Sequence, residues 1–122
     1  MARILVADDE APMRDMIAMA CRIDGHEVAE AYDTNSAITQ YVSSHPELLI
    51  LDLAMPGGGG IDVLRHLRAS QVPLCPVIIV SGYVADVTGE GRVLIQQHRI
   101  IEKPFALETL RAAIREALAG AA

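Results

Sequence analysis

One segment decides the fold of this chain: Leu48-Leu49-Ile50-Leu51-Asp52-Leu53-Ala54-Met55-Pro56, followed by glycines at positions 57–60. Its first four residues form a continuous apolar run, which is typical of a buried strand, and the run ends at a carboxylate. Proline and glycine then turn the chain. Ligands of open α/β sheets bind beyond the carboxyl ends of the strands, so Asp52 is a candidate for chemistry. The alternative is that Asp52 only forms a turn, as aspartate often does.

Length and composition restrict the possible classes of protein. The 122 residues suffice for one domain with one core, and we take residues 1–122 as that domain. The net charge of −6, without a basic stripe, argues against direct binding of nucleic acid. Cys21 and Cys75 have no metal-ligand spacing, there is no signal peptide, and no apolar run approaches the roughly 18 residues that span a membrane. We therefore expect a cytoplasmic protein with two free thiols and no membrane segment.

Apolar segments alternate five times with segments of helical periodicity. The strands are predicted at residues 4–7, 28–31, 48–51, 77–80 and 100–101. The first, third and fourth are apolar throughout, as in strands covered on both faces, whereas Glu27 and Glu30 indicate that the second is an edge strand. This alternation predicts parallel strands joined by right-handed crossovers, with helices on both faces of the sheet. The fold class is α/β.

Three local features of the helices can be predicted. The first helix is expected to bury its methionines in the core, because apolar residues recur there at helical spacing. Thr34 is the expected N-cap of the second helix. The helix after the fourth strand is expected to be short or mobile, since Gly89 and Gly91 each cost about 1 kcal/mol relative to alanine.

Polar side chains follow four of the predicted strands. Because the carboxyl ends of parallel strands meet at one rim, we expect five side chains to lie together. They are Asp8 and Asp9 after the first strand, Asp52 after the third, Ser81 after the fourth and Lys103 after the fifth. The glycines at 57–60 lack the Gly-Lys-Ser/Thr ending of a nucleotide-binding loop, so we do not expect a nucleotide-binding site there.

Three carboxylates beside a hydroxyl and an ammonium indicate phosphate chemistry. Like charges about 4 Å apart repel by about 4 kcal/mol at an effective dielectric constant near 20, so the aspartates need a compensating cation. Oxygen ligands at an open rim suit Mg²⁺, which commonly bridges carboxylates to a phosphate. A carboxylate can attack phosphorus to form an aspartyl phosphate, while Lys103 and Ser81 stabilise the phosphoryl oxygens. Lys103 is the only lysine in the chain, which indicates selective use of a compact ammonium.

Together these motifs resemble the receiver domain of two-component response regulators over essentially the whole chain. The resemblance is carried by Asp8-Asp9, by Asp52 with Met55-Pro56 and Gly60, by Ser81-Gly82, and by Lys103-Pro104-Phe105. It implies a doubly wound, flavodoxin-like (βα)5 three-layer sandwich with strand order 2-1-3-4-5. It also implies a phosphoprotein that acts as a signal-transduction switch in a phosphorelay.

The resemblance assigns a role to each site residue. Asp52 would be the phospho-acceptor. Asp9, Asp52 and the backbone carbonyl of Ala54 would hold Mg²⁺, with Asp8 supporting it through water. Ser81 would bind a phosphoryl oxygen, and Lys103 would pair first with the acceptor carboxylate and then with the phosphoryl group. The Lys103-Pro104 bond would be cis.

The implied partners are a histidine kinase or histidine phosphotransfer protein and a downstream protein target or output domain. The first helix is where such partners dock on receivers, so Arg14 and Ala18 are expected to be exposed contacts. A dimer through the fourth helix, fifth strand and fifth helix is also compatible with the resemblance. Direct binding of nucleic acid or membrane is not expected. The start at Met1 and the end just after the last helix favour a stand-alone receiver over one domain of a longer protein.

Two other functions compete with the signalling switch. A phosphohydrolase with an aspartate nucleophile would carry a second acid two residues later, where this chain has Ala54, and it would need length for a cap. A pseudo-receiver that binds partners without phosphorylation is disfavoured by the complete set of site residues. We therefore expect no enzymatic activity beyond self-catalysed phosphorylation and dephosphorylation of Asp52.

Two positions depart from the family pattern. Three residues before Lys103, receivers usually carry Tyr or Phe as a rotameric switch, and this chain has Ile100. The coupling of Ser81 to a swinging ring is therefore not expected, and the segment of Gly89 and Gly91 becomes the expected mobile element. The family also expects only Gly60 after the acceptor, so Gly57, Gly58 and Gly59 are expected to give a flexible loop.

Overall fold

The computed structural model describes residues 1–70 and 73–120. Five parallel strands form one sheet in the order β2-β1-β3-β4-β5, which confirms the predicted topology. Along the chain the elements are β1 (Arg3–Ala7), α1 (Ala11–Ile23), β2 (Glu27–Ala31), α2 (Thr34–Ser44), β3 (Leu48–Leu51), α3 (Gly59–Ala69), β4 (Val77–Ser81), a 3₁₀ turn (Val84–Asp86), α4 (Gly89–Gln96), β5 (Arg99–Glu102) and α5 (Leu107–Gly120). Within the described ranges, no helix is both long and apolar enough to cross a membrane.

Side chains of the central strands alternate between two hydrophobic layers, because successive residues of a strand point to opposite faces. In β3, Leu49 and Leu51 belong to the layer under α2, α3 and α4, while Leu48 and Ile50 belong to the layer under α1 and α5. β1 and β4 divide their residues in the same way. The two layers confirm the α/β sandwich and explain why these strands are apolar throughout.

β2 is an edge strand, as its charges predict. It pairs only with β1 among the described strands. Glu30 on β2 forms ion pairs with Arg14 at 3.4 Å and with Arg22 at 3.2 Å, both on α1. These charges fix α1 against the edge and disfavour the addition of a strand from another chain.

The orientation of α1 differs from the prediction. Met16, Met19 and Ile23 are 39%, 62% and 74% exposed. The buried residues of α1 are Ile17, Ala18, Ala20 and Cys21, and Met13 packs against the same hydrophobic layer. Placing Met16 and Met19 in the core and Ala18 on the surface was therefore wrong, because the face of the helix that packs on the sheet is centred on Ile17, Ala18 and Cys21.

Arg14 is also not a free surface residue. Its guanidinium donates a hydrogen bond to the carbonyl oxygen of Asp8 at 2.9 Å and pairs with Glu30. Its side chain is only 18% exposed. Arg14 and Ala18 are therefore not the exposed pair that was predicted, because Ala18 is buried and Arg14 is only partly exposed.

α2 begins one residue earlier than predicted. Asp33, rather than Thr34, is the N-cap, and its carboxylate accepts a hydrogen bond from the backbone N–H of Ser36 at 2.7 Å. Ser36 returns a bond by accepting from the N–H of Asp33, which completes a capping box. Thr34 is the first helical residue, and its hydroxyl donates to the carbonyl of Gly59 at 3.1 Å. α4 is short, at 8 residues, as the glycines predicted.

Tyr41 ties α2 to the segment that leads into β4. Its buried hydroxyl donates to the carbonyl of Pro73 at 3.2 Å and accepts from the N–H of Cys75 at 2.9 Å.

We predict that Tyr41→Phe lowers the free energy of unfolding by about 1–2 kcal/mol, because the partly buried N–H of Cys75 loses its acceptor. Urea unfolding measures this. Tyr32→Phe, at a residue that is 59% exposed, is the matched control and should change little. Equal stability of the Tyr41 variant and wild type would contradict the role of this hydroxyl.

Candidate functional site

The predicted polar side chains meet at the carboxyl edge of the sheet. Asp8 follows β1, Asp52 follows β3, Ser81 ends β4 and Lys103 follows β5. These four strands are adjacent: Ala7 is paired with Leu51 and Ser81 with Glu102, and β4 extends two residues beyond Ile79, the partner of Leu51. The fold therefore brings together residues that are far apart in the sequence.

Lys103 is the centre of this cluster. Its ammonium donates to Asp8 Oδ2 at 2.8 Å and to Asp52 Oδ2 at 3.2 Å. Both carboxylates are almost completely buried, and the lysine side chain is 13% exposed. A third carboxylate, that of the exposed Glu10, lies 3.3 Å from the same ammonium. One cation thus offsets the charge of three neighbouring anions.

Backbone N–H groups hold the other oxygens of the two buried carboxylates. Asp8 Oδ1 accepts from the N–H of Glu10 at 2.9 Å, and Asp52 Oδ1 accepts from the N–H of Ala54 at 3.1 Å. Each buried aspartate therefore has one amide and one ammonium as partners, which sets its orientation. The turn after each strand supplies the amide, so the turn-forming role and the functional role of Asp52 coexist.

The electrostatic environment favours a protonated Lys103 and a more basic Asp52. Burial raises the pKa of Asp52, and the charge of Asp8 adds to this, against the opposing effect of the Ala54 amide and Lys103. Burial alone would lower the pKa of Lys103, but its hydrogen bond to Asp8 and the charges of both aspartates outweigh this and raise it. Lys103 therefore stays protonated at neutral pH, and Asp52 is more basic than a solvated carboxylate. Higher basicity makes a carboxylate a better nucleophile.

Ser81 lies at the same edge of the sheet. Its side chain is fully buried, and its hydroxyl accepts from the N–H of Tyr83 at 3.2 Å. Its carbonyl oxygen accepts from the backbone N–H of Lys103 at 3.0 Å, but among the described residues its hydroxyl forms no hydrogen bond to Asp52 or Lys103. The structure places the predicted hydroxyl next to the site without bringing it into contact with the acceptor.

A cavity of about 430 Å³ opens above Asp52. It is lined by Asp9, Glu10, Asp52, Ala54, Gly82, Tyr83 and Lys103. Glu10 and Tyr83 were not predicted as part of the site. Their positions directly after Asp9 and Gly82 were the available signal, but an exposed side chain next to a motif is usually only solvated.

The donor set fits a hard divalent cation. One carboxylate oxygen from each of Asp8, Asp9, Glu10 and Asp52 lies within 4.8 Å of the others. Mg²⁺ prefers such oxygens and keeps several of its waters, for which the open cavity has room. Asp8 does not line the cavity, whereas Asp9 and Asp52 do, so Asp8 is suited to contact through water rather than to direct ligation.

Comparison with known proteins identifies the family. Residues 4–115 match the model of the response regulator receiver domain. The chain belongs to this family. It is 34% identical over 114 residues to the phosphate regulon transcriptional regulatory protein PhoB of Escherichia coli, covering 93% of this chain and 50% of PhoB. It is 32% identical over 121 residues to the probable transcriptional regulatory protein TcrX of Mycobacterium tuberculosis, covering 94% of this chain and 49% of TcrX. This receiver domain thus spans about half the length of these relatives.

Solved structures agree with the family assignment. The response regulator protein TrrA of Thermotoga maritima, in complex with Mg²⁺-BeF, is 25% identical with a TM-score of 0.83, covering 97% of this receiver and 100% of TrrA. A CheY-like receiver domain protein of Methanospirillum hungatei superimposes with a TM-score of 0.87 at 23% identity, covering 99% of this chain and 96% of that one. The latter likeness supports the fold alone. The Lys103-Pro104 bond of this receiver is cis, as the resemblance implied.

The glycine run of this receiver is closely packed, which corrects the expectation of a flexible loop. Gly57, Gly58 and Gly59 all have positive φ, between 80° and 113°. A Cβ on Gly59 would overlap the carbonyl oxygen of Leu53, and one on Gly60 would overlap that of Asp52. The glycines are therefore needed for the left-handed turn and for the close approach of α3 to the acceptor turn.

Ile100 is half-buried and packs against the hydrophobic layer beneath α2, α3 and α4. It is paired with Ile79 of β4. An aliphatic side chain in this place has no ring to swing between a buried and an exposed position. A change at Ser81 would therefore have to reach the surface of this receiver through the backbone and packing of neighbouring elements.

We predict that Gly60→Ala lowers the free energy of unfolding by about 1–3 kcal/mol, because the added methyl group must displace the backbone of the acceptor turn. Denaturant unfolding measures the change. Gly120→Ala, where a Cβ meets no atom within 4 Å, is the control for adding a methyl group to a helical glycine. If both variants were as stable as wild type, the close approach of α3 to Asp52 would be wrong.

We also predict that Lys103→Met lowers the free energy of unfolding by about 1–3 kcal/mol in the presence of a metal chelator. The variant leaves the buried carboxylates of Asp8 and Asp52 without their cation, and the loss is reduced only because the cavity is open to water. Arg115→Met is the control, because Arg115 is a solvent-exposed cation whose ion pair with Glu108 is on the surface. A Lys103 variant as stable as the control would contradict the proposed charge compensation.

Proposed function

We propose that this receiver domain takes a phosphoryl group onto Asp52 from a histidine kinase or a histidine phosphotransfer protein and passes the signal on through altered protein contacts. The observation that carries the proposal is the contact of the Lys103 ammonium with Asp52 Oδ2, at 3.2 Å, beneath an open cavity. It combines a nucleophile, a fixed cation and room for a phosphoryl group in one place.

In the proposed reaction, a carboxylate oxygen of Asp52 attacks phosphorus and forms an acyl phosphate. The P–N bond to the histidine ring of the donor breaks, and the ring nitrogen leaves with the electron pair of that bond. The transition state carries charge on the equatorial phosphoryl oxygens, and fixed positive charge stabilises it. Lys103 is protonated and close enough to shift from the carboxylate to a phosphoryl oxygen.

The Mg²⁺ ion would be held by Asp9, Asp52 and the carbonyl of Ala54, with Asp8 acting through water. When bound, it supplies further positive charge for the phosphoryl oxygens. Asp9 and Ala54 line the cavity, which supports this assignment. The complex of TrrA with Mg²⁺-BeF is a precedent in a protein of 25% identity.

Ser81 would respond to phosphorylation by exchanging partners. Its hydroxyl accepts from the N–H of Tyr83 before the reaction. Donation to a phosphoryl oxygen would require the hydroxyl to turn toward the cavity and the turn at Gly82 and Tyr83 to move with it. That turn leads directly into the 3₁₀ segment and α4, so the change would be passed to the surface formed there.

We propose two contact surfaces for partners. The exposed Met16, Met19 and Ile23 of α1 form an apolar surface suited to a phosphodonor protein. The face of α4, β5 and α5 would contact a target, an output domain or a second receiver. On this face, Val93 is 59% exposed.

The free thiols of Cys21 and Cys75 suit a reducing cytoplasm. No reaction beyond phosphorylation and dephosphorylation of Asp52 is proposed.

Incubation with Mg²⁺ and acetyl phosphate, followed by intact mass measurement, tests the proposal. Wild type should gain the mass of one phosphoryl group, because Asp52 is basic, oriented and located at the cavity. Asp52→Asn should gain none. Asp62→Asn, at an exposed aspartate of α3, controls for a general effect of removing a carboxylate and should behave as wild type. Absence of the added mass on wild type, or equal phosphorylation of the Asp52 variant, would refute the proposed function.

A further inference from the structure

We propose that Glu10 makes Asp52 selective among phosphodonors: its carboxylate, held at the mouth of the cavity by Lys103, disfavours donors that carry more negative charge. This inference rests on the proposed phosphorylation of Asp52 and adds a specificity-determining residue to it. The roles implied by the resemblance fall on the aspartates, Ser81 and Lys103, and Glu10 is not among the proposed Mg²⁺ ligands although its carboxylate lies near them.

Glu10 differs from the other carboxylates that contact Lys103. Asp8 and Asp52 are buried and each accepts a backbone hydrogen bond, so they belong to the framework of the site. The Glu10 side chain is 64% exposed, and among the described residues its recorded partner is Lys103 at 3.3 Å. Its backbone N–H binds Asp8, but that bond does not depend on the side chain. The side chain can therefore be changed without removing a structural bond other than the one to Lys103.

The contact with Lys103 biases where the charge of Glu10 lies. A free glutamate side chain at the surface would sample many rotamers and spend much of its time directed into solvent. The attraction of the ammonium favours the rotamer seen in the structure, in which the Glu10 carboxylate lies at the wall of the cavity and within 4.8 Å of an oxygen of Asp52. Any donor that delivers phosphorus to Asp52 must pass close to it.

The charge of Glu10 acts on an incoming anion in addition to the other charges around the cavity, including that of the Mg²⁺ proposed above. The charged residues that line the cavity are Asp9, Glu10, Asp52 and Lys103, so three carboxylates face one ammonium. The repulsion that a donor meets rises with the number of its negative charges, and a partly enclosed site strengthens it relative to bulk water. Removing one fixed charge should therefore help a dianionic donor more than a monoanionic one. A histidine-bound phosphoryl group comes with its own protein surface and is less affected by the electrostatic repulsion from Glu10.

The test compares phosphorylation rates with dianionic acetyl phosphate and monoanionic phosphoramidate, followed by intact mass at saturating Mg²⁺. For Glu10→Gln, we expect the rate with acetyl phosphate to rise about three- to tenfold and the rate with phosphoramidate to rise less than about twofold. The difference should shrink at high salt, which screens an exposed charge. Glu10→Asp keeps the charge and should keep the selectivity of wild type.

Glu116→Gln is the matched control. It removes the same charge from an exposed glutamate that pairs with Arg99 on β5, and it should leave both rates unchanged. If this variant raised the acetyl phosphate rate as Glu10→Gln does, net charge would explain the effect and the role of Glu10 would be refuted. The same conclusion would follow if Glu10→Gln left the ratio of the two rates unchanged, or if Glu10→Asp behaved like Glu10→Gln.

The two levels of the proposal fail in different ways. If wild type and the Glu10 variants gained no phosphoryl group from either donor, the phosphorylation of Asp52 itself would be refuted. If all were phosphorylated with the same ratio of rates for the two donors, only the role of Glu10 would be. Circular dichroism and thermal melting of each variant check that the fold is intact before rates are compared.

Discussion

The contact between the Lys103 ammonium and the carboxylates of Asp8 and Asp52 is the interaction on which the site depends. Two buried carboxylates at adjacent strand ends repel each other, and their burial is tolerated because one ammonium and two backbone amides compensate them. This compensation is incomplete, since burial still raises the pKa of Asp52. A parallel sheet makes the arrangement possible, because it delivers the carboxyl ends of β1, β3 and β5 to one edge although residues 8 and 103 are far apart in sequence.

The acceptor turn is physically connected to the helices beyond it. Gly60 donates its N–H to the carbonyl of Leu53, and its missing side chain lets α3 approach the carbonyl of Asp52. On the far side of α3, Ile61 contacts Gly91 of α4 so closely that a Cβ on Gly91 would lie 2.9 Å from it. The acceptor turn and α4 therefore both pack closely against α3.

Alternation of strands and helices predicted a parallel α/β sheet and, through its geometry, the convergence of Asp8, Asp9, Asp52, Ser81 and Lys103, whereas the strand order was implied by the family resemblance. Side-chain choices that depend on tertiary packing were not predictable in the same way. Periodicity alone could not tell that α1 buries Ala18 and exposes Met19, since either stripe is apolar. Asp33 and Thr34 are both good N-caps, and only the capping box decides between them. Taken alone, the glycines at 57–59 predicted a flexible loop, but in the structure they form a positive-φ turn that makes a close contact with its neighbours. The contact of Glu10 with Lys103 was missed because it depends on the position of a lysine 93 residues away.

The most direct test of the central claim is to locate the phosphoryl group. The protein is incubated with Mg²⁺ and acetyl phosphate and then treated with borohydride, which reduces an aspartyl phosphate to homoserine, and the proteolytic peptides are sequenced by mass spectrometry. If Lys103 and the strand ends prepare Asp52 as the acceptor, homoserine will appear at position 52 and at no other aspartate. Homoserine at Asp8 or Asp9, or its absence from position 52 in protein that has gained phosphoryl mass, would contradict the account.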